Sequence, residues 1–262
     1  MCGITGIVDF QKPIDKNILR RMTELLRHRG PDDSGHYIDN YFGFGHRRLS
    51  IIDLSSKGRQ PMEYEGYVLT FNGEIYNYKE IKSDLIKEGY EFSSNTDSEV
   101  LLLGYHRYGK DILKKLRGMF AFAIWDPKKK ELFLCRDRVG KKPLYYLKAD
   151  SKLIFASEMK SILENPIKRK IDLKSLNFYL SFGYIPAPYT ILQNIKKLEP
   201  GHWLSFNQNK LTIKRYWNLN FKNKQNNNIK KEIEESVKIR MQCDVDYGAF
   251  LSGGIDSSII TG

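Results

Sequence analysis

Apolar residues recur along this 262-residue chain with two periods that alternate from segment to segment. Residues 4–10 are apolar and rich in β-branched side chains, which predicts a buried strand. Ile18, Leu19, Met22, Leu25 and Leu26 recur at helical spacing and predict an amphipathic helix over 16–27. That helix runs into a loop dense in turn formers, 28–35. Segments 67–71 and 119–125 read as strands, with helices over 78–88 and 97–108 between them. Further short strands follow at 132–135, 144–147 and 153–156, separated by charged turns. Many short, mostly antiparallel strands with helices packed over them make an α+β arrangement.

The pattern changes late in the chain. Residues 218–228 are rich in asparagine and lysine and poor in apolar groups, as in a linker or surface loop. Ile229, Ile233, Val237 and Met241 then recur at every fourth position, a helix whose polar face is Lys and Glu. An apolar run at 247–251 predicts a strand, followed by Ser252-Gly253-Gly254-Ile255-Asp256-Ser257-Ser258 and the start of a helix. One strand, a glycine loop and one begun helix cannot bury a core. The expected organisation is a first domain over residues 2–208, a connecting segment 209–228, and the severed beginning of a second domain over 229–262.

Composition narrows the class. Apolar residues make up 41% and charged residues 28%, enough for a sizeable core. The longest unbroken apolar run, 119–125, is far shorter than the ~20 residues of a membrane span. The opening Met1-Cys2-Gly3-Ile4-Thr5-Gly6 lacks the basic segment of a signal peptide. Three cysteines allow neither a disulfide framework nor a four-thiolate zinc site, so a soluble cytoplasmic protein without a membrane partner is expected. The balance of 43 basic against 31 acidic residues, +12, raises nucleic acid as a partner. The basic runs have acidic residues close by and no interleaved aromatics, so a solvated surface is the better reading.

Chemistry concentrates first at the amino terminus. Loss of Met1 would give Cys2 a free α-amine, whose pKa of roughly 7.7–8.0 suits a general base at neutral pH. Nucleophile and base would then come from one residue. The bland alternative is a small residue opening a buried strand. Other candidates have bland readings too: Arg48 beside Arg47 as surface charge, Asn72-Gly73 as a hairpin turn, Asp97 after Thr96 as a first-turn acid.

Their combination decides between these. Cys2-Gly3-Ile4, Arg29-Gly30-Pro31-Asp32, Gly45-His46-Arg47-Arg48-Leu49-Ser50-Ile51-Ile52-Asp53, Phe71-Asn72-Gly73-Glu74-Ile75-Tyr76-Asn77 and Thr96-Asp97-Ser98-Glu99 occur in this order. Gly118-Met119-Phe120-Ala121-Phe122-Ala123-Ile124-Trp125-Asp126 and Arg136-Asp137-Arg138-Val139-Gly140-Lys141-Lys142-Pro143-Leu144-Tyr145-Tyr146 follow. Together they resemble the glutaminase domain of class II (amino-terminal nucleophile) glutamine amidotransferases, in the asparagine synthetase branch, over about residues 2–200. The resemblance implies a four-layer αββα sandwich of antiparallel sheets. It implies that Cys2 attacks the glutamine side-chain amide, giving a thioester and ammonia. Asn72 and the backbone N–H of Gly73 would hold the oxyanion. Arg48 would grip the α-carboxylate, and Asp97, with Glu74 near it, the α-ammonium. Leu49, Ser50, Ile51 and Ile52 would line the slot. The Arg29 loop would shape its mouth without a chemical step.

The late glycine loop resembles the pyrophosphate loop of ATP pyrophosphatases, at the start of an α/β domain. By that resemblance Ser252, Gly253, Gly254, Ser257 and Ser258 would cradle the phosphates of ATP through a nest of N–H groups and hydroxyls. Leu251 would meet the adenosine and Asp256 a Mg2+ ion. Glutamine, aspartate and ATP are the implied small-molecule partners, with ammonia passing internally to an aspartyl-adenylate; a homodimer is compatible with this. The aspartate pocket would lie beyond residue 262, so these residues alone would support at most the glutaminase step. Another carboxylate acceptor, such as a sugar acid, or a catalytically silent module, stays open. Gly104-Tyr105-His106-Arg107-Tyr108-Gly109-Lys110 imitates a phosphate-binding loop, but Asp111 stands where Ser or Thr is needed, and a helix ending at Gly109 is expected.

Overall fold

A computed structural model, which describes residues 1–208, 210–221 and 228–262, explains why the run 119–125 cannot alternate: it lies in a strand buried on both faces. The elements are β1 (Gly3–Asp9), α1 (Lys16–Glu24), β2 (Asp33–Ile38), β3 (Phe42–Arg48), β4 (Met62–Tyr64), β5 (Tyr67–Ile75), α2 (Tyr78–Lys87), α3 (Asp97–Tyr108) and α4 (Ile112–Lys115). They continue as β6 (Gly118–Asp126), β7 (Glu131–Arg136), β8 (Tyr145–Ala149), β9 (Lys152–Ala156), α5 (Met159–Ile162), α6 (Leu173–Phe182), β10 (Ile195–Lys197), β11 (His202–Asn207), β12 (Lys210–Arg215), α7 (Ile229–Lys238) and α8 (Ile255–Thr261).

The strands form two sheets of antiparallel pairs, ordered β10-β8-β9-β1-β3-β2 and β12-β11-β7-β6-β5-β4. Three apolar layers hold four layers of structure together. Between the sheets, Ile4, Val8, Phe42, Phe44 and Phe155 meet Val68, Ala121, Ala123, Trp125 and Leu134. Outside the second sheet, Leu69, Phe71, Phe120, Phe122 and Ile124 pack under Leu85 of α2 and Val100 to Leu103 of α3. Outside the first, Ile7 and Ile154 pack against Met22 of α1 and Ile162 of α5. Residues 120–125 thus send alternate side chains into two different cores, so every one of them is apolar. This is the αββα sandwich.

Several elements differ from the sequence reading. Helix α1, capped by Asp15 through the Asn17 and Ile18 amides, ends at Glu24, because tighter bonds such as Leu26 N–H to Thr23 O and Arg27 N–H to Glu24 O take over. The turn-rich stretch before Gly35 enters β2, and β3, β4 and β10 to β12 lie where the sequence pattern predicts no strand. In β3 the sequence Phe-Gly-Phe-Gly hides the strand because the glycine face is a seat for α1: a Cβ on Gly45 would lie 2.0 Å from Thr23 Oγ1. Residues 247–251 form no strand; Tyr247, Phe250 and Leu251 are exposed, and no strand among the described residues runs alongside to complete their hydrogen bonds. The linker 218–228 and the connecting segment 209–228 fall partly outside the described residues, at 209 and 222–227. Helix α3 does end at Gly109, which has φ of +56°.

Candidate active site

The pairing of β1 with β3 sets Gly3 opposite Arg47, which brings Cys2 beside the chain leaving β3. There the Leu49 N–H donates to Cys2 Sγ at 3.4 Å, and Sγ lies 3.6 Å from Leu49 O. Arg29 Nε donates to the Cys2 carbonyl at 3.0 Å, and Glu158 holds the same guanidinium at 3.1 Å. The thiol is therefore fixed from both sides of its backbone. Burial pushes its pKa up, and the Leu49 N–H opposes that. Burial pushes the pKa of the Met1 α-amine down.

The opposing wall is the end of β5. Far from forming a hairpin turn, Asn72 and Gly73 sit inside this strand, opposite Ala121 and Phe120 of β6. Along a strand, successive N–H groups point to opposite edges. The Phe71 N–H is taken by Gln60 Oε1 at 2.7 Å and the Ile75 N–H by Asp97 Oδ2 at 2.9 Å, both away from β6. Gly73, midway between them, points its N–H the same way, on the wall of the cavity. The Asn72 amide is buried, and among the described residues neither its Nδ2 nor its Oδ1 has a hydrogen-bond partner. An unpaired buried amide costs about 1–3 kcal/mol, so it is an unspent donor and acceptor.

Arg48 is buried rather than a surface charge. Its Nη1 donates to Ser55 O at 2.8 Å, and its Nη2 to Asp53 O and, at 3.5 Å, to Ile52 O. These bonds fix the guanidinium plane and, among the described residues, leave the Nε hydrogen and one Nη1 hydrogen uncommitted. Gly58 makes room for it: a Cβ there would stand 2.0 Å from Arg48 Nη2. Asp97 is the first residue of α3, whose cap is Thr96, and burial pushes its carboxyl up to about 7.

These groups share one cavity of about 260 Å3, a size suited to an amino acid. It brings together Cys2, Arg48, Leu49, Ile51, Ile52, Asn72, Gly73, Glu74 and Asp97 from among the residues singled out in the sequence. Ser50 is not on this wall; its amide is drawn aside to Asp32 Oδ2 at 2.8 Å. Met1, Gln60, Ser98, Met119 and Lys142 line the cavity without having been assigned from sequence. Lys142 is buried, its Nζ 3.1 Å from Met1 Sδ, and burial pushes its pKa down while Glu74 opposes. It lies in the stretch 136–146, where nothing in the sequence marks it as belonging to the cavity that holds Cys2. Burial in turn raises the Glu74 carboxyl.

Leu251, Ser252, Gly253, Gly254, Asp256, Ser257 and Ser258 are not part of this cavity. Gly253 has φ of +79°, Ser252 and Ser257 share a hydroxyl–hydroxyl bond of 2.9 Å, and the Ser257 and Ser258 hydroxyls donate to Gly254 O. Among the described residues no group of three or more His, Cys, Asp or Glu could hold a metal, and no helix is long and apolar enough to cross a membrane.

The family described as glutamine amidotransferase domain matches residues 1–217, and that described as asparagine synthase matches 228–262. The chain is 41% identical to asparagine synthetase (glutamine-hydrolyzing) 1 of Bacillus subtilis, over 99% of this chain and 43% of that protein. It is also 41% identical to a putative asparagine synthetase (glutamine-hydrolyzing) 2 of Methanocaldococcus jannaschii, over 100% of this chain and 56% of that protein. The chain thus spans about half the length of these relatives. Among solved structures, glutamine phosphoribosylpyrophosphate amidotransferase of B. subtilis superposes with a TM-score of 0.61 at 20% identity, over 84% of this chain and 50% of that one, a likeness of fold.

Proposed function

The chain belongs to the glutamine amidotransferase domain family, and from that premise we propose that it hydrolyses glutamine at Cys2 to release ammonia. The observation that carries this reading is the convergence of a thiol, an unpartnered buried amide, an arginine and a buried carboxyl on one amino-acid-sized cavity. Removal of Met1 frees the Cys2 amine, which takes the thiol proton directly or through a water. The thiolate bonds to the side-chain amide carbon of glutamine, and the Asn72 Nδ2 and Gly73 N–H groups receive the oxyanion. Collapse breaks the carbon–nitrogen bond, and the amine returns its proton to the departing ammonia. Water, deprotonated by the same amine, then cleaves the thioester to glutamate and restores the thiol. Arg48 holds the α-carboxylate and Asp97 the α-ammonium, which fixes the amide carbon beside the sulfur.

In the longer protein we infer that this ammonia amidates aspartate at the expense of ATP, giving asparagine, AMP and pyrophosphate. The match of 228–262 to the asparagine synthase family and the relatives' names support that acceptor. The donor-rich loop of Ser252, Gly253, Gly254, Ser257 and Ser258 suits phosphate oxygens, with Leu251 beside the nucleoside and Asp256 toward Mg2+. When bound, ATP supplies the activation of the acceptor carboxylate.

The test is intact mass joined to an assay of glutamate released from glutamine. Chain lacking Met1 hydrolyses glutamine. Chain retaining it, in which the Cys2 nitrogen is an amide and no base, is slower by about 10²–10⁴-fold. Equal rates in both forms would remove the amine from the mechanism.

Binding carries its own pH signature. With Asp97 near 7 in the free site, it is protonated below that pH, whereas an incoming ammonium requires the carboxylate. Glutamine binding therefore releases a proton in acid. Affinity, measured calorimetrically on the Cys2→Ala chain, falls about tenfold per unit once pH is well below 7 and levels off above it. A flat affinity from pH 5 to 8 would mean that Asp97 does not meet the ammonium.

A further inference from the structure

The loop after β3 walls the cavity through Leu49, Ile51 and Ile52, and its carbonyls at Asp53 and Ser55 hold the Arg48 fork. At its turn Asp53 has φ of +55°, a left-handed conformation that a non-glycine residue keeps only when its surroundings hold it there. Two of those ties lie within the first domain: Asp53 accepts from the nearby Ser55 N–H at 3.1 Å and from the Asn95 N–H, just before α3, at 3.0 Å. The others come from far along the chain. The Asp244 N–H donates to Ile51 O at 2.9 Å, and Asp244 Oδ2 accepts from the Asp53 N–H at 2.7 Å. The same stretch also reaches the facing wall. Gln242 Nε2 donates to Tyr76 O at 3.2 Å, and the Arg240 guanidinium lies 4.8 Å from the centre of the Tyr76 ring, one residue beyond the Ile75 amide that Asp97 holds.

We infer that Asp244 is a positioning residue for the glutamine site: it clamps the backbone of Ile51 and Asp53 so that Arg48 is presented to the substrate carboxylate. Asp244 lies in the part of the chain that matches the asparagine synthase family, beyond the amidotransferase match. The affinity of the first site is therefore set in part by the second segment, a built-in link between the two. A hydrogen bond lost from a clamp loosens the holding of Arg48 without touching the thiol or the oxyanion donors, so the consequence falls on KM rather than kcat.

The inference rests on the glutamine reading above, and two readouts keep the two separable. In the 262-residue chain, Asp244→Ala raises KM for glutamine about five- to tenfold with kcat within about twofold of the parent. Asp244→Asn, whose amide oxygen still accepts from the Asp53 N–H, restores KM to within about twofold. Hydrogen exchange, which needs no turnover, shows the Asp53 amide exposed in Asp244→Ala and protected in Asp244→Asn and the parent. Parental KM and parental protection in Asp244→Ala would overturn the clamp, as would an Asn variant no better than Ala. A parent chain that releases no glutamate from glutamine would instead overturn the glutamine reading, while the exchange comparison still decides the clamp.

Discussion

Alanine at position 2 abolishes glutamine hydrolysis, lowering kcat by about 10⁴-fold or more, while the chain stays folded and still binds glutamine. The size follows from the chemistry: without the sulfur there is no covalent intermediate, and the amine and oxyanion donors have nothing to activate. The folded state loses little, since among the described residues Sγ makes just the long contacts to the N–H and carbonyl of Leu49. Alanine is also small, so Met1 is still removed and the free amine is kept, which confines the change to the thiol. Labelling supplies a second readout. Cys135 is fully buried, whereas Cys243 is partly accessible, so a general alkylating reagent marks two sites and a reactive glutamine analogue should mark Cys2 alone. Hydrolysis surviving in Cys2→Ala, or an analogue that reacts at Cys243 and spares Cys2, would end the nucleophile assignment.

What the sequence carried and what it withheld divide along a physical line. Cys2, Arg48, Asn72, Gly73 and Asp97 are legible because the blocks that contain them stand in the order that resembles a class II glutaminase domain. The contacts that make them a site join elements far apart and leave no local signal. The bond from Asp97 to the Ile75 amide ties a helix start to a strand end, and nothing around either residue announces it. The same holds for Lys142 and Asp244. Period failed for α6 for another reason: Leu173, Tyr179, Leu180 and Phe182 are all exposed, so its apolar residues form no single buried stripe. The local signals there were the Asp172 cap and Gly183 at the other end, with φ of +75°. Ser50 lies between Leu49 and Ile51 in sequence but not on the wall they share, because its amide turns to Asp32 instead.

Asparagine 72 is where stability and function should pull apart most plainly. Asn72→Ala lowers kcat about 10²–10³-fold, the usual loss when one oxyanion donor is removed. KM changes little, because the charge that the amide meets exists only in the transition state. Ordinary truncation of a buried side chain destabilises, yet the Asn72 amide lines the cavity and has no hydrogen-bond partner among the described residues, so its loss breaks no bond that holds the fold. Deleting the amide widens that cavity by only a few atoms, so the melting temperature of the variant stays within a few degrees of the parent's. Asn72→Asp, which turns an acceptor toward the developing oxyanion in place of a donor, should be slower still. A variant that melts several degrees lower and loses kcat and KM together would make Asn72 a packing residue. A raised KM with unchanged kcat would make its amide a ground-state contact, and leave the Gly73 N–H as the oxyanion donor on this strand.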